Sequence, residues 1–324
     1  MRIWTAIADV LARHGKCAMV SVIAVKGSAP REPGARLIIA ENGLFRGTIG
    51  GGALEWRAIA EAQAALARGG SAFIMASSVL GPDLGQCCGG QVKLLTEIFV
   101  PSDRGWIEDF ARLEGRASFS TEAIIEGSKI ARRIVETRPE AAIALRGNVL
   151  HEIFGETPRS IYVFGAGHVG RALILALAPL PFAVMWIDSR PDAFPAVVPA
   201  NAEMKLMPSP PAALVSAPPG SLILVMTHSH ALDFDIVLAA LKRQSFAYVG
   251  LIGSETKRAR FLSRLRAAGI TDAGLRNFIC PIGVPGIRSK RPAVIAASVA
   301  ADLLARDEQL RMAARPLSDA LRSA

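Results

Sequence analysis

The stretch SIYVFGAGHVG at residues 160–170 decides the fold of the second half of the chain. It opens with an apolar, β-rich run typical of a buried strand and continues directly into the glycine pattern of Gly165, Gly167 and Gly170. Glycines placed between a strand and a helix allow a tight turn and let backbone N–H groups approach a phosphate, which the positive end of the helix dipole also favours. The stretch therefore predicts a strand–turn–helix unit suited to a phosphate-bearing ligand.

The pattern after this unit extends it into a domain. Asp188 ends the next apolar run, where a Rossmann-type domain places an acid that accepts hydrogen bonds from ribose hydroxyls. The wholly apolar runs 222–226 and 248–252 are typical of parallel strands covered on both faces. We therefore predict a Rossmann-type α/β domain over residues 156–324, with a parallel sheet and helices on both faces. His168 belongs to the predicted binding site, and a glycine turn needed only for packing is the alternative.

The first half, residues 1–155, has a different pattern. An amphipathic opening helix precedes an apolar strand at 17–25, and the Asn-Gly pair within 41–43 favours a hairpin. A helical pattern follows at 53–68, whereas the pattern over 102–155 is weaker. These features predict an N-terminal α+β domain.

Two adjacent cysteines, Cys87 and Cys88, lie in the segment LGQCCGG at residues 84–90, which we call the cysteine loop. Thiols flanked by glycines are accessible, and a thiolate is both a nucleophile and a soft metal ligand. We predict that Gln86 and the two cysteines contact a ligand and that the cysteines are candidate metal ligands. The alternative is that both thiols are buried as small apolar groups.

Two histidines, His228 and His230, directly follow the apolar run 222–226. This position places them at the carboxyl edge of the predicted sheet, where open α/β sheets bind ligands. They could exchange protons, donate hydrogen bonds to an anionic ligand or occupy one metal position. Alternatively, one histidine caps the next helix and the other is merely exposed.

A third strand-to-helix junction contains Gly253 and Ser254, followed by Lys257 and Arg258. The backbone N–H groups of the turn, with one of the two cations, could hold an anion. Alternatively, Ser254 caps a helix whose basic face is solvated.

Composition narrows the classes of function. The 324 residues carry a formal net charge of +9, which favours anionic partners. Aromatic residues make up only 6%, and no RNA-recognition signature or zinc-finger spacing is present, so nucleic acid is not the expected partner. The four cysteines form no CxxC pair and indicate free thiols in a reducing compartment. Without a signal-peptide pattern or an apolar run of about 20 residues, we expect a cytoplasmic protein that does not bind membranes.

Taken together, these segments resemble the XdhC/CoxI family, the accessory proteins of xanthine dehydrogenase and related molybdenum hydroxylases. The resemblance covers nearly the whole chain except residues 102–155. The matching stretches are 27–31, 50–52 with Glu55, 85–90, 164–170, 227–233, 250–257, 281–283 and 292–298.

The resemblance implies a protein that binds molybdenum cofactor (molybdopterin), shields it and delivers it in sulfurated form to the apo-dehydrogenase. It implies a cofactor-insertion chaperone rather than a catalyst, a homo-oligomer, and Cys87 and Cys88 as the groups that face molybdenum or sulfur. The expected partners are xanthine dehydrogenase or a related client and a cysteine desulfurase. The competing interpretation, an NAD(P)-dependent oxidoreductase built on the Rossmann half, makes no use of the two cysteines.

Overall fold

A computed structural model divides the chain into two compact units, Met1–Thr157 and Pro158–Ala324. The structure describes residues 1–69, 73–80, 89–127, 129–137, 139, 141–155 and 157–313.

The first unit has antiparallel sheets and three helices among its described residues. The helices are α1 (Ile3–His14), α2 (Gly52–Arg68) and α3 (Arg104–Glu114). One sheet has the order β3-β2-β1-β5-β4, with β1 (Cys17–Lys26), β2 (Arg36–Ala40), β3 (Phe45–Gly47), β4 (Phe73–Val79) and β5 (Gln91–Phe99). The other has the order β7-β6-β9-β8, with β6 (Phe119–Glu126), β7 (Lys129–Val135), β8 (Ile143–Arg146) and β9 (Val149–Phe154).

The opening helix α1 buries one face against this unit. Ile3, Trp4, Ile7 and Leu11 recur at helical spacing and are buried with residues of the first sheet. The carboxylate of Glu114, at the end of α3, accepts a hydrogen bond from the Ile3 backbone N–H at 2.7 Å. An acid from one helix thus satisfies an N–H group that the first turn of another helix leaves free.

Four charged side chains form a buried network between strands of the two sheets. Arg132 donates to Glu97 at 2.7 Å and to Glu152 at 2.5 Å, and Arg36 donates to Glu152 at 2.8 Å. Burial raises the pKa of Glu97. Burial also opposes ionisation of Glu152, but Arg132 and Arg36 outweigh it and lower its pKa. The network joins β2, β5, β7 and β9 through ion pairs. Each charge requires its partner, because burying an unpaired charge has a large unfavourable free energy.

The second unit is a parallel sheet with helices packed on it. The sheet order is β12-β11-β10-β13-β14-β15. Its strands are β10 (Arg159–Phe164), β11 (Phe182–Asp188), β12 (Ala202–Leu206), β13 (Leu222–Val225), β14 (Tyr248–Leu251) and β15 (Phe278–Ile279). The helices are α4 (His168–Leu177), α5 (His230–Arg243), α6 (Glu255–Ala267) and α7 (Pro292–Ala313).

Both faces of this sheet are buried. Along β10, Tyr162 and Phe164 enter one apolar cluster while Ile161 and Val163 enter another, as the alternation of side chains along a strand requires. All of β13 is buried, which explains its wholly apolar sequence. The predicted fold class, a Rossmann-type sheet after an α+β half, is therefore confirmed. Within the described residues, no helix combines the length and the apolar character needed to cross a bilayer.

Replacing Arg132 with Met is expected to lower the free energy of unfolding by about 3–5 kcal/mol, because it leaves Glu97 and Glu152 short of a buried partner. Its neighbour Arg133 provides a matched control, since its side chain is 69% exposed against 3% for Arg132 and it pairs with Glu122 at the surface. Arg133→Met should cost at most about 1 kcal/mol. Urea unfolding followed by circular dichroism measures both variants, and equal losses would contradict the buried network.

Candidate functional site

Two glycines of the loop between β10 and α4 are required by the turn itself. Gly165 has a φ of 118°, and a Cβ atom there would lie 2.3 Å from the carbonyl oxygen of Met226. A Cβ atom on Gly170 would lie 2.1 Å from the carbonyl oxygen of Gly165. Neither position has room for a side chain, so these glycines are explained without a ligand.

Gly167 is different, because none of the residues that the structure describes requires a glycine there. Its φ is −76°, and a Cβ atom would meet no atom within 4 Å. It occupies the N-cap position of α4, and both Gly167 and the following His168 are exposed. Open space therefore lies in front of free N–H groups at the positive end of a helix, the arrangement that binds phosphate in other proteins.

The carboxylate of Asp188 is already fully engaged. Its Oδ2 accepts from the backbone N–H of Ala166 at 2.7 Å and from Nη2 of Arg190 at 2.9 Å, while Oδ1 accepts from Nε of Arg190 at 3.0 Å. Burial opposes ionisation, but the bonds from Arg190 and Ala166 outweigh it and lower the pKa of Asp188 to about 2. In this arrangement Asp188 fixes the glycine loop, and a ribose hydroxyl would have to displace Arg190 to reach it.

His228 lies in the turn that follows β13 and His230 is the first residue of α5, and both are exposed. Ser229, between them, occupies the N-cap position of α5 and accepts from the backbone N–H of Leu232, so neither histidine is that cap. Both imidazoles are thus placed where they can meet a ligand at the sheet edge.

Gly253 and Ser254 form the turn between β14 and α6. Ser254 caps α6 by accepting from the backbone N–H of Lys257 at 3.2 Å. The Nζ of Lys257 donates to Asp233 at 2.7 Å and to the carbonyl oxygen of Ile252 at 3.0 Å. Lys257 is therefore engaged in holding the loops together, which leaves Arg258 as the freer of the two predicted anion-binding cations.

Sequence reasoning missed the role of Asp233, which connects two of these loops. Its Oδ1 accepts from the hydroxyl of Thr227 at 2.7 Å, while its Oδ2 accepts from Lys257. The sequence shows only that an acid, Asp233, and a lysine, Lys257, lie in two separate motifs. Their ion pair depends on the order of the strands in the sheet, which the sequence does not give.

The sheet topology brings the three loops to one edge. Strands β10, β13 and β14 are adjacent and parallel, so the turns that follow them meet at their carboxyl ends. Neighbouring strands lie about 4.8 Å apart, which keeps the turns within the reach of one small ligand. Gly167, His228 and Gly253 thus belong to the same edge.

The candidates Gln86, Cys87 and Cys88 lie outside the described residues. Within those described, no group of three or more His, Cys, Asp or Glu side chains could hold a metal ion.

The described end of the cysteine loop contacts another predicted motif. A Cβ atom on Gly90 would lie 2.1 Å from the carbonyl oxygen of Ser28, and one on Gly50 would lie 2.5 Å from the ring of Pro30. The segments at 27–31 and 50–52 and the end of the cysteine loop therefore pack closely in the first unit.

The glycine turn at 50–52 is held by Glu55 of α2. One oxygen, Oε2, accepts from the hydroxyl of Thr48 at 2.6 Å and from the backbone N–H groups of Ile49 at 2.9 Å and Gly51 at 3.2 Å. Burial opposes ionisation of Glu55, but these hydrogen bonds outweigh it and lower the pKa. The carboxylate thus gives a glycine-rich turn a fixed shape.

Parts of both halves of the chain match the models of one protein family. Residues 161–303 match the XdhC Rossmann domain, and residues 10–76 match the XdhC and CoxI family. The chain belongs to the XdhC/CoxI family. The resemblance seen in the sequence is thereby confirmed.

Two known proteins resemble this XdhC/CoxI chain. The uncharacterized protein YqeB of Escherichia coli K12 is 25% identical over 309 residues, which cover 94% of this chain and 46% of YqeB. The chain therefore spans about half the length of that relative. A crystal structure from Bacillus halodurans, described as a xanthine dehydrogenase, superposes with a TM-score of 0.80 at 20% identity and covers 98% of this chain and 99% of that one. This likeness shows a shared fold.

Serine substitutions separate the two kinds of glycine in this XdhC/CoxI protein. Gly170→Ser places a Cβ atom against the Gly165 carbonyl and is expected to cost about 1–3 kcal/mol of stability. Gly167→Ser fills open space at an N-cap that serine favours, so it should change stability by less than about 0.5 kcal/mol. Urea unfolding tests this, and equal losses would contradict the geometry of the loop.

Asp188→Asn tests the bonds that hold the glycine loop. Because folding lowers the pKa of Asp188, its stabilising effect is present at neutral pH and is lost as the pH falls from about 4 through about 2. The variant should be about 2 kcal/mol less stable than wild type at pH 7, and the difference should shrink by roughly half at pH 3. Urea unfolding at both pH values measures this. Asp192→Asn, at an exposed neighbouring acid, is the control, and a pH-independent difference for Asp188→Asn would refute the account.

Proposed function

We propose that this chain is an accessory protein of a molybdenum hydroxylase such as xanthine dehydrogenase. In this role it binds molybdenum cofactor, protects it, and delivers it in sulfurated form to the apo-enzyme. Membership in the XdhC/CoxI family supports the accessory role. The observation that carries the binding proposal is the open N-terminus of α4 at Gly167, because the cargo bears a phosphate group.

The residues at the sheet edge suit the phosphate-bearing part of this cargo. The N–H groups at the start of α4, next to Gly167 and His168, are suited to receive the phosphate. His228 and His230, exposed on the neighbouring turn, can donate further hydrogen bonds to an anionic ligand.

The sulfur-rich metal centre of the cargo calls for soft ligands, and the thiols of Cys87 and Cys88 are of that kind. We assign these two cysteines, with Gln86, to contact with the metal or its sulfur. The role is that of a carrier rather than a catalyst. Its partners are the client dehydrogenase and a cysteine desulfurase, and the working form is a homo-oligomer.

NAD(P) is the alternative ligand, and one observation favours its phosphorylated form. Arg190 follows Asp188 at the end of β11, where an arginine accommodates the 2′-phosphate of NADP in other Rossmann domains. The carboxylate of Asp188 argues against NAD itself, because it already accepts hydrogen bonds from Ala166 and Arg190. A dehydrogenase of this type would bind a nicotinamide dinucleotide and would need neither Cys87 nor Cys88.

Gly167→Asp tests the binding proposal through charge. Aspartate is a good N-cap, so the fold should be retained, but its carboxylate would repel a phosphate at the same place. The isosteric Gly167→Asn is the matched neutral control. After expression in a host that makes molybdenum cofactor and anaerobic purification, we expect Gly167→Asp to carry about tenfold less molybdenum and pterin than Gly167→Asn, which corresponds to about 1.4 kcal/mol.

The same preparation includes wild type and the double variant Cys87→Ala/Cys88→Ala. The proposal predicts stoichiometric cofactor in wild type and its loss from the double variant. Cofactor retained without the cysteines would keep the function but confine the site to the Rossmann edge. Wild type that carries no pterin and instead binds NADP would overturn the proposal in favour of the dehydrogenase.

A further inference from the structure

The second unit contains a cavity of about 470 Å³ that the proposed phosphate site does not use. It lies beyond the carboxyl ends of β14 and β15 and is bounded by the first turn of α6, the segment 280–289 and the start of α7. Strand β15, which contributes Phe278 and Ile279 to the wall, is three strands from β10, so this place is about 14 Å along the sheet edge from the glycine loop. Cavities of this size hold small organic ligands and cofactors.

The walls of the cavity combine apolar side chains with polar ones, the latter from Glu255, Arg258, Ser289 and Ser298. Ile282 and Val284 line it from the segment 280–289, and Ile295 lines it from α7. Apolar side chains can pack on the faces of a cofactor ring, while polar groups fix its orientation. The cavity therefore suits a heteroaromatic body rather than a small ion.

The rim of the cavity is basic. Arg258 lines it from α6, and its closest acidic neighbour, Glu255, is 3.6 Å away with a side chain that is 76% exposed. Arg288, Lys290 and Arg291 flank the lining residue Ser289, and all three are exposed. Among the described residues none of these three forms an ion pair, so their charge is available to an anionic ligand.

The wall formed by the segment 280–289 is held in place. The hydroxyl of Ser298, on α7, accepts from the backbone N–H of Val284 at 2.9 Å. Gly283 has a φ of 97°, and a Cβ atom there would lie 2.5 Å from that hydroxyl, so the segment approaches α7 closely. A cavity shaped before the ligand arrives reduces the ordering cost of binding.

We propose that this cavity is the subsite for the ring of an anionic, phosphate-bearing heteroaromatic ligand, either a pterin phosphate or a purine nucleotide. The ring lies between Ile282, Val284 and Ile295, and the positive field of Arg258 and the basic rim draws the anionic ligand toward the cavity. The inference rests on the proposed function for the identity of the cargo, since molybdopterin joins a pterin ring to a phosphate. It goes further by placing the ring three strands away from the phosphate site at Gly167.

Paired variants test the cavity by size and by charge. Ile295→Phe fills the cavity, and its control Ile295→Leu keeps the volume of the side chain. Arg258→Gln removes the cation that lines the cavity. Its control Arg260→Gln removes an exposed cation of the same helix that does not line the cavity. Each is purified anaerobically from a host that makes molybdenum cofactor, with circular dichroism as a check on folding. We expect Ile295→Phe and Arg258→Gln to carry about tenfold less pterin than their controls.

The outcomes separate this inference from the proposed function. If wild type carries cofactor and all four variants retain it, the cavity is not the ring subsite, while the carrier function stands. If wild type carries no pterin, the carrier function fails, and titration calorimetry with guanosine monophosphate decides the cavity. If wild type binds guanosine monophosphate, and Ile295→Phe and Arg258→Gln each weaken this binding about tenfold while their controls do not, the cavity is a nucleotide subsite. No binding of this probe to wild type would overturn the inference.

Discussion

The carboxylate of Asp188 is the constraint on which the Rossmann half depends, because it ties the end of β11 to the glycine loop. By accepting from the N–H of Ala166, it fixes the turn in which Gly165 and Gly170 approach neighbouring backbone too closely for any side chain. The fixed loop places the start of α4, including Gly167, next to open space. The hydrogen bonds from Arg190 keep the carboxylate ionised and occupied. The acid that a nucleotide-binding domain offers to ribose is here a structural group.

The same device recurs at other loops of the chain. Asp233 accepts from the N–H of Thr227, and Glu55 accepts from the N–H of Gly51. In each case a carboxylate from the same unit fixes a polar or glycine-rich turn. Turns held in this way present their remaining N–H groups in a fixed arrangement, and a preorganised group loses less entropy when it binds an anion. The basic balance of the chain adds long-range attraction for such a ligand.

The parts of this structure that follow from local pattern could be predicted from the sequence. Strand β10, its glycines and the start of α4 are contiguous, and a parallel sheet gathers the turns after β13 and β14 at the same edge. Pairings between distant residues could not be predicted. Arg132 and Arg133 are adjacent in the sequence, yet one is buried between two glutamates and the other is exposed. The sequence alone would place both arginines of β7 in solvent. The ion pair of Asp188 with Arg190 could not be predicted either, because a Rossmann pattern does not indicate whether its acid is available to a ribose hydroxyl.

Delivery of the cargo to a molybdenum hydroxylase is the core of the proposed function, and a transfer assay measures it. Chain loaded with cofactor is mixed anaerobically with apo xanthine dehydrogenase, and both enzyme activity and the pterin left on the chain are followed over time. We expect dehydrogenase activity to appear as a matching amount of pterin leaves the chain. Free cofactor at the same concentration should activate the enzyme less. If the loaded chain keeps its pterin and the dehydrogenase stays inactive, the delivery role is contradicted.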